Sequence, residues 1–504
     1  MNEIILQAFE TQLPADGSLW RTIAEKADEF ASMGISALWI PSPCKGASGS
    51  NSNGYDLYDL YDLGEFDQKG SVRTKYGTKA ELHDMIRRLH EKGVSVYADI
   101  VLNHKTGADG KEAWIPVVEV DQNDRNREIN RPRKEFLWTL FDFPGRRGRY
   151  SSFHWNHTHF TGCEESTDGY SKIFWIFWRR NSEENHPRIF RFPEKHWAED
   201  VDHENGNYDY LLGCDIDHGN PEVRDELIRW GKWFLDETHV DGFRLDAVKH
   251  ISAAFYRHWL PDMRSHAGKN LFAVGEYVSG DVGRLESYLG NVGFVMSLFD
   301  FPLHYLFHEA SGTDESENHG FDLRRLFSET LVSRQPDHAV TFVDNHDTQN
   351  DGGMLTSPVH WRFQVAAYAI ILLRKLGVPC LFWRDLFGAP GGEGKVCDLP
   401  RLAKIRTLCA KGEEELLLES PSRVALLRKG TEDDFCSGLV FLLTNEKTDV
   451  DMNIQLPRHF ASRAFRCVIG DRPNVKIDEF GNARFSVGAN RCSVFVPEEA
   501  AAKL

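Results

Sequence analysis

The sequence predicts an α/β fold. Its core is a (β/α)8 TIM barrel, with an inserted irregular β-rich domain after the third strand and a C-terminal antiparallel β-sandwich. Three observations predict this. Apolar strands alternate with amphipathic helices over two long stretches before Gly394. That rhythm breaks from Lys105 to about Asn207. Beyond Gly394 a helix is followed only by β-type runs. Strand, helix, glycine, strand is the signature of a parallel sheet buried on both faces.

Ile4–Phe9 reads as the first strand, and Trp20–Met33 as a helix ended by Gly34. Ile35–Ile40 is a strand stopped by Pro41; Lys79–Lys92 is a helix ended by Gly93; Val94–Val101 is the third strand. The next segment is rich in Arg, Asn, His and aromatic residues and shows no helical period. A structureless loop of that length does not fit a compact domain, so an inserted β-rich domain is expected. The rhythm resumes with helix Pro221–Thr238, strand Val240–Leu245, helix Ser252–His266 and strand Leu271–Gly275. Strand Gly293–Leu298, helix Phe321–Val332, strand Ala339–Val343, helix Trp361–Lys375 and strand Val378–Trp383 complete eight units. An open doubly wound sheet is the alternative, but its dinucleotide-binding form would carry GxGxxG after the first strand, and none is present. Val424–Arg428, Gly438–Leu443 and Cys492–Val496 suggest the C-terminal sandwich. The expected divisions are 1–104 and 208–394 for the barrel, 105–207 for the insert and 395–504 for the sandwich.

A net charge of −17 argues against nucleic acid or an anionic membrane as partner, since both need clustered Lys and Arg. No apolar run reaches bilayer-spanning length. The opening MNEIILQAFE has no basic n-region or apolar h-region, and the nine Cys are scattered without CxxC spacing. A reduced cytoplasmic protein is the expectation, and a monomer is expected with it.

Barrel enzymes place their chemistry where strands end. Four of the strands deliver polar groups to one rim: YADIVLNH with Asp99, Asn103 and His104; DGFRLD with Arg244 and Asp246; FAVGEY with Glu276; TFVDNHD with His346 and Asp347. A lone acid after a strand is ordinarily a turn or helix cap. Four on one rim are harder to explain that way. Cleaving a glycosidic bond needs one carboxylate to stabilise an oxocarbenium-like centre and one carboxylic acid to protonate the leaving oxygen. Arg244 stands two residues before Asp246, on the same side of the strand. That favours Asp246 as the ionised partner. Glu276 has no basic neighbour in sequence and is the better proton donor.

The segments DIVLNH, GFRLDAVKH, GEYV and FVDNHD resemble the four short conserved regions of the α-amylase family, glycoside hydrolase family 13. YDLYDLGEF and GNYDYLLGCDIDHGNPEV look like liquefying bacterial amylases and similar fungal intracellular ones. The resemblance implies a retaining endo-hydrolase of α-1,4-linked glucans acting on starch, glycogen or maltodextrins. It implies Asp246 as nucleophile, Glu276 as general acid/base and Asp347 as the third carboxylate. Arg244 would hold the nucleophile ionised, His104 and His346 would bond the −1 sugar, Tyr55 would stack on it, and Lys249 and His250 would line the leaving-group side. It also implies structural calcium held by Asn103, Asp209, Asp215 and the carbonyl of His250. An α-glucan transglycosylase using the same carboxylates is the alternative. Some features depart from relatives. FWRDLFG replaces a familiar Tyr-Gly-Asp rim, and Leu212 stands where some relatives carry a Met; Gly219 stands near a position where some relatives carry an acid, and WAEDVDHENG lacks their WDW pattern, so the sequence leaves the number of cations open. Trp383 is expected either to pack the barrel end or to touch substrate.

Overall fold

The computed structural model describes residues 3–165, 188–312, 320–350 and 352–504. Part of the expected insert, 166–187, lies outside the described residues. Eight parallel strands close into a barrel: β1 Ile5–Gln7, β2 Ala37–Ile40, β3 Ser95–Ile100, β4 Gly242–Leu245, β5 Phe272–Gly275, β6 Ser297–Phe299, β7 Ala339–Phe342 and β8 Val378–Phe382. Each pairs with its neighbours in sequence order, and β8 pairs with β1. Strand residues are almost entirely buried, as expected for a parallel sheet wrapped by helices.

A six-stranded sheet runs beside the barrel, with strands from His104–Lys105 through Gly110–Val120, Arg133–Leu140, Phe160–Glu164 and Ile189–Arg191 to Cys214–Ile216. Its first and last strands pair with each other and lead out of and back into the barrel. The C-terminal strands form a six-stranded antiparallel sheet and a two-stranded one, Val450–Gln455 with Asn482–Val487. Between them lies a core that includes Leu427, Val440, Met452, Phe465, Phe485 and Phe495.

Several elements differ from the sequence reading. The helix expected over Trp20–Met33 is two short helices, Leu19–Glu25 and Ala27–Ser32, meeting at Lys26. Phe321–Val332 is a 3-10 turn, Leu323–Phe327, followed by the short helix Leu331–Arg334. The Asp322 and Thr330 side chains each accept a backbone N–H and restart the chain, which is why one helix cannot run through. Two helices, Val282–Asn291 and Phe301–Ser311, were not expected. The second is apolar on nearly every face, so it has no period to detect. Its start was nonetheless visible as Asp300 capping ahead of Pro302. β8 ends at Phe382, and Trp383 begins a helix instead. Trp383 packs the barrel end against Phe387 and Phe30, with ring centroids 4.5 and 6.5 Å away.

Candidate active site

Strand register brings the acids together. Leu245 pairs with Gly275, so the next residues, Asp246 and Glu276, emerge side by side at the C-terminal rim. Arg244 pairs with both Asp99 and Val274. Gly275 is required here: a Cβ would meet Met296 Sδ at 2.9 Å and both Leu298 and Val248 at 3.1 Å. Immediately after Asp246, Ala247 adopts φ +51°, a left-handed conformation uncommon for a residue with a side chain. The turn aims the Ala247 N–H at Glu276 Oε2, 3.3 Å away.

Arg244 is fully buried and anchors the cluster. Its Nη1 donates to Asp246 Oδ1 at 2.6 Å and to Asp99 Oδ1 at 2.9 Å. Its Nη2 stands 2.6 Å from Glu276 Oε1. That last contact lacks hydrogen-bond alignment, so Glu276 Oε1 and Arg244 Nη2 both remain without a hydrogen bond. The sequence reading gave the arginine to Asp246 alone; in space it faces both acids. What separates them is alignment. Asp246 receives a directed, charge-assisted bond, whereas Glu276 sits beside the charge without one.

Burial is the largest influence on all these acids and pushes each upward. Asp246 rises to about 6, with Arg244 pulling the other way. Glu276 is raised by burial and by the charge of Asp246, against Arg244. Asp347 is raised well above the usual range by burial and then by Glu276. The charges of Glu276 and Asp246 both act on Asp347, so the three acids share one field.

The surrounding residues converge too. The Tyr55 ring stacks on His346, with centroids 5.2 Å apart and planes 6° apart, and its hydroxyl donates to Asp99 at 2.9 Å. His346 Nε2 lies 3.5 Å from Asp347, and its Nδ1 lies 3.0 Å from Gln7 Nε2. His104 has protein partners at both ring nitrogens: Tyr55 O at 2.8 Å and Asn103 Nδ2 at 3.3 Å. A sugar hydroxyl would have to displace one of them. Burial drives His104 down to about 4 and His346 well below its usual range, so both rings are neutral at pH 7. Lys249 Nζ reaches Glu204 at 3.0 Å and Val278 O at 3.2 Å; His250 Nδ1 pairs with Tyr208 O at 2.7 Å.

Sequence reasoning missed two supporting residues. Asp99 was read only as a strand-end acid. It accepts from Trp39 Nε1 at 3.0 Å as well as from Tyr55 and Arg244, and so fixes the floor of the site. Gln7 holds His346. Each was visible as a polar residue inside an apolar strand, which burial forces to find a partner.

A second group of acids lies where the inserted sheet meets the barrel. Asp209 and Asp215 are 3 % and 1 % exposed, and Asn103 is 1 % exposed. Burial raises Asp209 to about 7 and raises Asp215 well above the usual range; the charge of Asp209 is the next influence on Asp215. Asp215 accepts from Thr161 Oγ1, and Asp209 from the Ala198 N–H at 2.9 Å. Asn103 Oδ1 is buried with no hydrogen-bond donor. An orphaned amide oxygen beside two repelling carboxylates is an oxygen donor set suited to a hard cation. No group of three or more His, Cys, Asp or Glu side chains is poised to hold a metal among the described residues. Any ion here therefore needs amide and carbonyl oxygens as well.

The sequence profile of the alpha-amylase catalytic domain matches residues 7–399. The chain belongs to the α-amylase family. It is thus a glycoside hydrolase. It is 43 % identical to the alpha-amylase of Geobacillus stearothermophilus, over 99 % of this chain and 87 % of that one. It is 40 % identical to the cytoplasmic alpha-amylase of Escherichia coli K12, over 99 % of each. The crystal structure of an alpha-amylase from Geobacillus thermoleovorans, complexed with acarbose, superposes with a TM-score of 0.61. That match has 18 % identity and covers 98 % of both chains, which shows the shared fold.

Proposed function

We propose that this α-amylase family member is an endo-hydrolase of α-1,4-glucosidic bonds in starch, glycogen or maltodextrins, acting with retention. One observation supports the reading: Asp246 and Glu276, on adjacent strand ends, touch the same guanidinium. Inverting enzymes hold their carboxyls roughly 6.5–9.5 Å apart to seat a water, whereas retaining pairs are closer. Asp246, aligned on Arg244, attacks the anomeric carbon. Glu276 gives its proton to the leaving oxygen, then takes one from the incoming water that resolves the glycosyl-enzyme. Asp347 and the neutral His346 engage sugar hydroxyls, Tyr55 offers its ring face, and Lys249 and His250 line the leaving-group side.

Asn103, Asp209, Asp215 and the carbonyl of His250 would hold calcium. When bound, the ion neutralises two buried carboxylates and ties the insert to the barrel; its role is structural. A monomer is part of the same reading, as is a cytoplasmic location like that of the Escherichia coli relative.

Transglycosylation is the second reading. A cyclomaltodextrin glucanotransferase of Niallia circulans is 25 % identical over 73 % of this chain. A time course with maltoheptaose separates the two. Hydrolysis yields only shorter products, and transfer yields longer ones. Glu276→Gln should abolish both.

A further inference from the structure

We propose that the outer face of the hairpin Gly110–Val120/Arg133–Leu140 is a second binding surface for α-glucan chains, with Trp114 and Phe136 as its platform. The proposal rests on the glucan reading of the active site.

Trp114 and Phe136 are 64 % and 51 % exposed, yet their rings touch, with centroids 5.1 Å apart. They are the only contacting pair of exposed aromatic rings among the described residues. The backbone is bent to produce this pair. The strand register shifts between Glu112 and Ile115, and Trp114 sits in that bulge at φ +63°. Bulges re-aim side chains, and a bulky residue in left-handed backbone is an outlier that points towards function. Phe294, also exposed and left-handed, is accounted for differently, because it follows Gly293 at the end of a helix. No helix ends at Trp114.

Strand alternation puts Lys134, Phe136 and Trp138 on one face. Lys111 pairs with Trp138 and lies 5.1 Å above its ring. The open platform is therefore the pair Trp114 and Phe136, flanked by the exposed Lys134 and by the half-buried Trp138 that Lys111 covers. Flat rings accept the C–H faces of sugars, and the ammonium groups donate to hydroxyls; few polar groups around an apolar platform is how sites for neutral ligands are built. The chain's charge of −17 disfavours a nucleic acid, and two exposed rings fall well short of the roughly 1,000 Å² a stable protein interface needs. The hairpin starts shortly after His104 on the chain. One long glucan held at both places would gain avidity that a short oligosaccharide could not.

The test uses full-length protein. In a Glu276→Gln background, mobility is measured in native gels containing glycogen or soluble starch, with and without W114A/F136A. The expected result is retardation weakened about tenfold by the double substitution. In the otherwise unmodified enzyme, the same pair of changes should lower turnover of glycogen and leave turnover of maltotriose unchanged. Trp114→Phe, which keeps a ring, should restore retardation and guards against misfolding. Unchanged retardation would overturn the proposal while maltoheptaose hydrolysis still upheld the active-site reading. A dimer that W114A dissolves would also overturn it, since a second copy would then be the occupant. Absence of both retardation and hydrolysis in the parent proteins would instead count against the glucan reading itself.

Discussion

Two regions of this molecule bury acids, and only one of them ion-pairs its acids with a buried guanidinium. At the barrel mouth, Asp99, Asp246 and Glu276 surround Arg244, a cation built into the fourth strand. At the seam with the insert, the charge of Asp209 raises Asp215, Asn103 Oδ1 is orphaned, and Arg125 acts on both acids without a hydrogen bond or ion pair to either among the described residues. A covalently attached cation is always present and can be aimed within tenths of an ångström, which is what a nucleophile needs. A diffusible ion can be absent, and so suits a structural joint.

Predictions follow from breaking each half of that contrast. The largest effect is on chemistry. Asp246→Asn should lower kcat by about 10⁴–10⁶-fold, in the manner of nucleophile deletions elsewhere. The substitution should leave the far-ultraviolet circular dichroism unchanged. Next is the built-in cation. Arg244→Met leaves several buried acids facing each other and should cost about 3–5 kcal/mol in urea unfolding, besides abolishing activity. Chelation should act only on the other region. Removing calcium with EGTA should lower the melting temperature by an amount reflecting about 3–4 kcal/mol, the linkage expected at 100 to 1,000 times Kd. Asp215→Asn should reproduce that loss and blunt the response to added calcium. If EGTA left melting unchanged, the seam would not need an ion and the contrast would fail.

The smallest effect is on pH. In the proposed mechanism Asp246 acts ionised, so kcat/KM should fall as pH drops below about 6. The same mechanism uses Glu276 protonated, so activity should also decline at alkaline pH as that raised group ionises. Stability has the opposite sign. The folded Asp246 has a raised pKa, so its contribution is most favourable below the unfolded value of about 4 and is lost as pH rises through about 6. Asp246→Asn should therefore melt above wild type at pH 7.5, by an amount of order 1–3 kcal/mol, with the gap closing near pH 4.

The barrel and its rim were readable because strands end in apolar runs followed by the acids themselves, and period-2 geometry places Arg244 beside Asp246 without further knowledge. Spatial sharing was not readable. That Arg244 also faces Glu276 depends on the register Leu245 to Gly275, which no local pattern encodes. The metal set was carried by resemblance, since Asp209 and Asp215 alone look like ordinary surface acids; their burial emerges only when the insert folds back. The helix Phe301–Ser311 escaped because its buried positions run round most of its circumference, leaving only Tyr305, His308 and Glu309 outside and too little polar face to show a period. Trp114 was hidden for the reverse reason: one extra residue in a strand inverts its facing, and that requires knowing the pairing.

Covalent capture of the nucleophile tests the account most directly. A 2-deoxy-2-fluoro-α-glucosyl fluoride should load the enzyme and turn over slowly enough for peptide mass spectrometry. A single glycosyl adduct is expected, on the peptide containing Asp246. An adduct on Glu276 or Asp347, or no adduct together with release of the opposite anomer, would contradict it.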